Sequence, residues 1–321
     1  MPQVVASDFR PHSLLKGPHL QTLAGFVLGK RIQVQYQRQR LELNDGDFLD
    51  LDWGKASNGL LPEDAPLLLL IHGLEGCSGS HYIKAISRQA LEQNIQPVVL
   101  NMRSCSGQPN RLPRMYHSGD TGDIDRVLRH FQARLPNRAR FACGISLGGN
   151  QLVKYLGEQA DAALLNGACA VSVPFWLAES GRRINSGISQ IYSNYLLKSL
   201  KKKLTKRTDL NGVTPELLKN IKNFYQFDHQ ITAPIHGFSG MYDYYSQSSS
   251  LPFIKTITKP TLLIQALDDP FMTEAVIPRL HHLSETVILE LAEHGGHAGF
   301  IGAGGEFWMA KRVVEWLSLV I

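Results

Sequence analysis

Apolar residues run unbroken over 67–71, with polar positions on either side. Such a run predicts a strand buried on both faces, the kind found in parallel sheets. Short, mostly apolar stretches at 97–100, 140–144, 164–173, 261–266 and 287–291 predict further strands. Between several of them the spacing changes to a helical period. Over 121–135, Ile124, Val127, Leu128 and Phe131 fall on one side, and 82–91 and 151–156 also read as helix. The chain closes at 307–321 with Trp308, Val313, Val314, Trp316 and Leu317 at helical spacing. Strands alternating with helices predict an α/β fold: a mostly parallel central sheet flanked by helices.

Two stretches depart from this rhythm. Residues 31–43 alternate, with Ile32, Val34 and Tyr36 on one side. Asn44, Asp45 and Gly46 give a turn signal, and Leu49, Leu51 and Trp53 alternate again. This predicts an antiparallel hairpin at the start of the sheet. From 175 to 250 the chain is rich in Ser, Asn, Tyr, Phe and Lys. The stretch is too long for an ordinary connection and is read as a helical insertion, with helices around 188–200 and 215–224. Pro11, Gly17 and Pro18 break the start of the chain, leaving 19–26 as a short helix or an ordered arm. The expected organisation is an N-terminal arm (1–30), a core (31–174 and 251–321) and a helical lid insertion (175–250).

Composition narrows the class. The 321 residues are 43% hydrophobic and 19% charged, which excludes disordered, collagenous and knottin-like chains. Cys77, Cys105, Cys143 and Cys169 match neither a zinc site nor a disulfide framework. They are expected to be reduced thiols in a cytoplasmic protein. The net charge of +5 is concentrated in one run, Lys198, Lys201, Lys202, Lys203, Lys206 and Arg207. That run is read as a solvated helix end or a transient contact with an anionic membrane surface. No recognition motif accompanies it, so nucleic acid is not an expected partner. No run of about 18 apolar residues is present to predict a spanning helix, and the first 30 residues lack a signal-peptide pattern.

The strongest chemical signal is Gly144-Ile145-Ser146-Leu147-Gly148, set between an apolar strand and a helical run. The pattern matches a nucleophile elbow, a sharp strand-to-helix turn that exposes a serine hydroxyl beside backbone N–H groups. Its alternative is a glycine-rich helix start with a capping serine. A serine hydroxyl needs a base, and the base needs an orienting acceptor. Leu267-Asp268-Asp269-Pro270 ends the strand at 261–266, and Glu293-His294-Gly295-Gly296-His297 follows the next one. Asp269 is the expected orienting acid, with Asp268 in reserve, and His297 the expected base, with His294 in reserve. The order serine, acid, histidine is the one expected of this chemistry on an α/β sheet. His294 and His297 lack the helical spacing of a zinc protease and have no evident third ligand, so no metal is expected. The loop Ile71-His72-Gly73-Leu74-Glu75-Gly76 follows the first buried strand. It is placed to supply one oxyanion donor, the Leu74 N–H, alongside the Leu147 N–H. His72 either orients that loop or is simply a buried strand-end histidine.

Taken together, His19-Leu20-Gln21-Thr22, His72-Gly73-Leu74-Glu75-Gly76, Asn101-Met102-Arg103, Tyr116-His117-Ser118-Gly119, Gly144-Ile145-Ser146-Leu147-Gly148-Gly149-Asn150 and His294-Gly295-Gly296-His297 resemble the YheT-like α/β-hydrolase family. That family is related to the eukaryotic ABHD1/ABHD2/ABHD3 acyl hydrolases. The resemblance spans roughly residues 12–320. It implies a serine carboxylic-ester hydrolase with no cofactor, acting on a small-molecule or lipid ester through Ser146, Asp269 and His297.

Other residues of the pattern carry open readings. Arg103 meets a substrate anion or forms an internal ion pair with Asp120 or Asp123. Tyr116 and His117 line an acyl groove or fasten their loop. Cys77 is expected only to pack. The aromatic residues of the insertion, among them Phe175, Trp176, Tyr192, Tyr195 and Phe224, suit an apolar acyl chain or dock the insertion on the sheet. Two rivals to ester hydrolysis stand: acyl transfer to an alcohol through the same acyl-serine, and a noncatalytic binding protein on the same fold.

Overall fold

The computed structural model describes residues 2–320 except 57, 58, 60, 206, 208, 209 and 211. Lys206 of the basic run and Ile321 at the chain end therefore lie outside the described residues. Among those described, one nine-stranded sheet runs in the order β1-β9-β8-β7-β6-β4-β5-β3-β2. Its strands are β1 (Gln3–Ala6), β2 (Gln35–Glu42), β3 (Phe48–Lys55), β4 (Leu67–Ile71), β5 (Gln96–Asn101), β6 (Arg140–Ile145), β7 (Gly167–Val171), β8 (Thr261–Ala266) and β9 (Val287–Ala292). β3 pairs antiparallel with both β2 and β5, and every other pairing is parallel.

The uninterrupted apolar run of β4 follows from two covered faces. Leu67, Leu69 and Ile71 join the core on one face, with Ile124, Val127 and Leu128 of α3 (Gly122–Arg134) and Leu152 and Leu156 of α4 (Leu147–Gln159). Leu68 and Leu70 point the other way, as the two-residue period of a strand requires. They meet Ile83 and Ile86 of α2 (His81–Glu92) and Val313 and Leu317 of the C-terminal helix Trp308–Val320. Because β4 to β9 run parallel, the loops after β4, β6, β8 and β9 emerge at one end of the sheet, where ligands bind in open α/β sheets.

Two expectations are corrected. The chain start contributes an unexpected strand: β1 extends the sheet by pairing with β9, ahead of α1 (Pro18–Leu28), which covers the short helix expected over 19–26. The insertion between β7 and β8 holds more helix than the two segments expected. It contains α5 (Leu177–Ile184), α6 (Gln190–Leu204), Pro215–Asn220, Phe224–Phe227, a π-helical stretch Asp228–Thr232 and Met241–Ser248. Leu197, Leu200, Leu204, Leu218, Ile221 and Phe227 give this segment a small core of its own.

Arg103, just after β5, is a structural cation. It is completely buried, donating Nε and Nη2 to Asp123 at 2.8 Å each and Nη1 to Asp47. Burial opposes its charge, but Asp123 and Asp47 more than offset that and hold its pKa above the ordinary value. The substrate-anion reading is thus overturned, and Asp120 is taken instead by Arg114 at 2.9 Å. Removing one partner of a buried pair strands the others. Arg103→Met is expected to lower the unfolding free energy by about 3–5 kcal/mol in equilibrium urea unfolding; an unchanged midpoint and slope would contradict this role.

Candidate active site

The turn between β6 and α4 is tight. Ser146 sits at φ 55° and ψ −121°, a region that side-chain-bearing residues rarely occupy. Such strain persists only when the surroundings enforce it. Here the Ser146 N–H donates to Val171 O at 2.8 Å, and the Asn150 N–H donates to Ser146 O at 3.0 Å. A Cβ on Gly144 would collide with the Gly148 carbonyl, and one on Gly148 with the carbonyls of Ile71 and His72. The two glycines are therefore required by close backbone approach. The half-buried hydroxyl is thereby presented at the carboxyl end of the sheet.

Two loops bring partners to that hydroxyl. His297 Nε2 lies 2.9 Å from Ser146 Oγ, and His297 Nδ1 lies 2.8 Å from Asp269 Oδ2. The second oxygen of Asp269 accepts the Phe271 N–H at 2.8 Å, and the residue is only 3% exposed. With Asp269 accepting from Nδ1–H, Nε2 is free to accept from the serine. Ser146, Asp269 and His297 thus form one hydrogen-bonded line although Ser146 and His297 stand 151 residues apart in sequence.

The line is held by residues to which the sequence reading gave no role. Phe271 lies over the His297 imidazole, ring centroids 4.0 Å apart and planes 22° from parallel. From α1, Thr22 Oγ1 accepts the His297 N–H at 2.9 Å, while the fully buried Gln21 side chain bonds both the N–H and the carbonyl of Ile301. Ser172 Oγ accepts the Ala298 N–H at 3.0 Å. Gln21 and Thr22 fall within a motif that the sequence displayed. The signal was a pair of polar residues inside an otherwise apolar helix.

The loop after β4 is organised by His72. Its Nε2 accepts the Met102 N–H at 3.1 Å, so its Nδ1–H donates to Gly73 O at 2.7 Å. Burial pushes its pKa down to about 4, so the ring is neutral near pH 7 and acts as a brace. In the loop, the Gly73 N–H donates to Tyr82 OH, the Glu75 N–H to Tyr116 OH and the Gly76 N–H to Gly73 O. Among the described residues the Leu74 N–H between them has no acceptor, and the Leu147 N–H, in the first turn of α4, lacks an intrahelical one.

Glu75 is a further residue of this loop to which the sequence alone assigns no role. It holds φ 58°, and its carboxylate, nearly out of solvent, takes Tyr116 OH at 2.9 Å, Ser199 OH at 2.7 Å and Lys203 Nζ at 2.6 Å. Ser199 and Lys203 belong to α6, so the insertion is clamped directly to this loop. This narrows the reading of the basic run as a solvated helix end or membrane contact to part of the run: Lys203 is consumed by Glu75, Lys201 bonds the Ile221 carbonyl, and Arg207 is buried on the Leu112 carbonyl. Only Lys198 and Lys202 of the described run are exposed.

The reserve residues lie apart from the line. Asp268 accepts the Gly296 N–H at 2.9 Å and faces His294 Nδ1 at 3.4 Å. Neither they nor Arg103 line the cavity that opens at Ser146, whereas Tyr116 and His117 do. Tyr116 both lines and fastens, through Glu75. His117 packs its ring 4.5 Å from that of His236, and burial lowers their pKa values to about 4 and about 3, so both are neutral near pH 7.

That cavity has a volume of about 570 Å³ and is walled mainly by apolar side chains, including Leu147, Leu177, Leu200, Phe224, Phe227 and Met272. Asp228 is a polar exception, its pKa raised by burial to about 6 while Thr232 and Tyr245 donate to it at 2.7 Å each. Among the described residues no helix is long and apolar enough to cross a membrane.

Residues 66–303 match the family model described as alpha/beta hydrolase fold. The chain is 38% identical to the Escherichia coli (strain K12) protein named "Putative esterase YheT", over 98% of this chain and 94% of that one. It is 28% identical to Homo sapiens "Phospholipase ABHD3", over 88% of this chain and 70% of the relative. Among solved structures, the Pyrococcus furiosus esterase Pf2001 superimposes with a TM-score of 0.58 over 99% of both chains, at 14% identity. That last likeness concerns the fold.

Proposed function

From a chain that belongs to the alpha/beta-hydrolase family, closely related to YheT-like esterases and ABHD3-type acyl hydrolases, and is a carboxylic-ester hydrolase, we propose an enzyme that cleaves apolar acyl esters through an acyl-Ser146 intermediate. The observation that carries this reading is the unbroken line Ser146 Oγ–His297–Asp269 at the floor of an apolar cavity.

The chemistry follows from the distances. As Ser146 Oγ forms a bond to the ester carbonyl carbon, its proton passes to His297 Nε2. Asp269 keeps Nδ1–H in place and stabilises the imidazolium, and the stacked Phe271 ring adds a favourable face for that cation. The carbonyl electrons move onto oxygen, which the Leu74 and Leu147 N–H groups receive. Collapse expels the alcohol, which takes the proton from His297. Water then attacks the acyl-serine by the same route and frees the acid. The segment at 175–250 serves as a lid, its apolar side chains covering the acyl chain.

The cavity's size and walls set a substrate preference. Each methylene moved from water to an apolar wall is worth about 0.8 kcal/mol. Across p-nitrophenyl esters of increasing chain length, kcat/KM is expected to rise about 3- to 4-fold per methylene until the cavity is filled, then fall. A series that declines steadily from acetate onward would remove the apolar-acyl reading.

A further inference from the structure

The mouth of the cavity carries a feature that ester hydrolysis alone does not explain. Leu23 and Phe26 of α1, and Ile191 and Tyr195 of α6, line the cavity and yet are 51%, 54%, 68% and 70% exposed. They therefore form its rim. Around them stand Leu20, Val27 and Ile188, at 52%, 59% and 63% exposure, which do not line the cavity. The two helices adjoin: His19 Nδ1 lies 3.1 Å from Tyr192 OH, with the rings stacked. Large apolar side chains gathered this way mark an interaction surface.

Charge indicates what the surface meets. Residues 9–41, which include α1, contain six Lys and Arg and no Asp or Glu. Residues 180–208, which include α6, contain eight Lys and Arg and again no acid. The whole chain carries only +5, so acidic residues are excluded from the two segments that frame the mouth. Some of these cations are spent on internal pairs, but Lys16, Lys30, Arg31, Lys198 and Lys202 remain exposed, with Lys30 Nζ 5.3 Å from the Phe26 ring. An apolar rim backed by cations is the pattern of a surface that sits on anionic lipid.

We propose that the rim formed by α1 and α6 docks on an anionic bilayer surface, with the cavity mouth facing the lipid. The orientation lets an acyl ester pass from the bilayer to Ser146 without crossing water, and in that respect it rests on the acyl-ester reading above. Docking itself is separable from catalysis. The experiment is flotation of the full chain with vesicles of phosphatidylcholine alone, or of three parts phosphatidylcholine to one part phosphatidylglycerol.

The protein is expected to float with the mixed vesicles more than with phosphatidylcholine alone. The triple variant Leu20→Glu, Val27→Glu, Ile188→Glu is expected to lose at least about tenfold in partitioning, while hydrolysing a short water-soluble p-nitrophenyl ester at the unsubstituted rate. Ser146→Ala is expected to float as the unsubstituted protein does, so that failure of the chemistry and failure of docking give different results. Absence of flotation with mixed vesicles, or undiminished flotation of a folded triple variant, would overturn the proposal. So would a dimer in sedimentation that the triple variant dissociates, since a second copy would then be what covers the rim.

Discussion

Ser146→Ala is expected to lower kcat for ester hydrolysis by about 10⁴- to 10⁶-fold, with the remaining rate carried by the oxyanion donors and substrate binding. The site explains why the loss is so large. Ser146 Oγ is the hydroxyl held 2.9 Å from His297 Nε2, and the backbone strain at φ 55° is spent on presenting it. The fold should survive the change. Alanine removes only the hydroxyl, and the bonds that fix the turn run through the Ser146 N–H and carbonyl. Steady-state rates beside a thermal unfolding curve separate the two effects. A folded variant within tenfold of the original rate would contradict the role.

The second large effect is expected at Asp269→Asn, at about 10⁴-fold in kcat with little change in KM. Asp269 uses one oxygen for the Phe271 N–H and the other for His297 Nδ1. An asparagine keeps its carbonyl oxygen on the Phe271 N–H and so turns its NH₂ toward the histidine. Nδ1 must then accept, the proton moves to Nε2, and Nε2 can no longer take the proton from Ser146. Asp268→Asn makes the matched control. Its carbonyl can still accept the Gly296 N–H, and the residue lies outside the cavity, so kcat is expected to stay near the original value. Equal losses in the two variants would mean that the acid has been misassigned.

How much the sequence disclosed depends on the range over which each feature is determined. β4 and β8 are fully buried strands, and their apolar runs stated both their type and their bounds. Gly144 to Gly148 likewise announced their turn, because close backbone approach there tolerates no side chain. β1 went unread. Its four residues, Gln3–Ala6, are mostly exposed and owe their strand conformation to β9, nearly the whole chain away. The short helices of the insertion, such as Phe224–Phe227, fold against one another and carry little periodicity of their own.

Within the site, chain order and strand ends point to Ser146, Asp269 and His297, but nothing local gives the partners of Phe271, Glu75 or Thr22. Each of those acts on a partner distant in sequence or on a ring face, as Thr22 does on His297 across 275 positions. For the same reason the sequence leaves Arg103 open between a substrate anion and the internal pair it forms with Asp123, and does not show which cations of the basic run are buried. Charge can be counted in a sequence, whereas its burial against Asp47, Asp123 or Glu75 is a property of the packed chain.

The claim on which the rest depends is that Ser146 alone is activated as a nucleophile. Reaction of the folded protein with a fluorophosphonate, followed by intact-mass measurement and peptide mapping, reads this directly. One equivalent of adduct on Ser146 is expected, slowed strongly in Asp269→Asn and absent in Ser146→Ala. Protein that hydrolyses esters but carries its adduct on another residue, or labels equally well in Ser146→Ala, would contradict it.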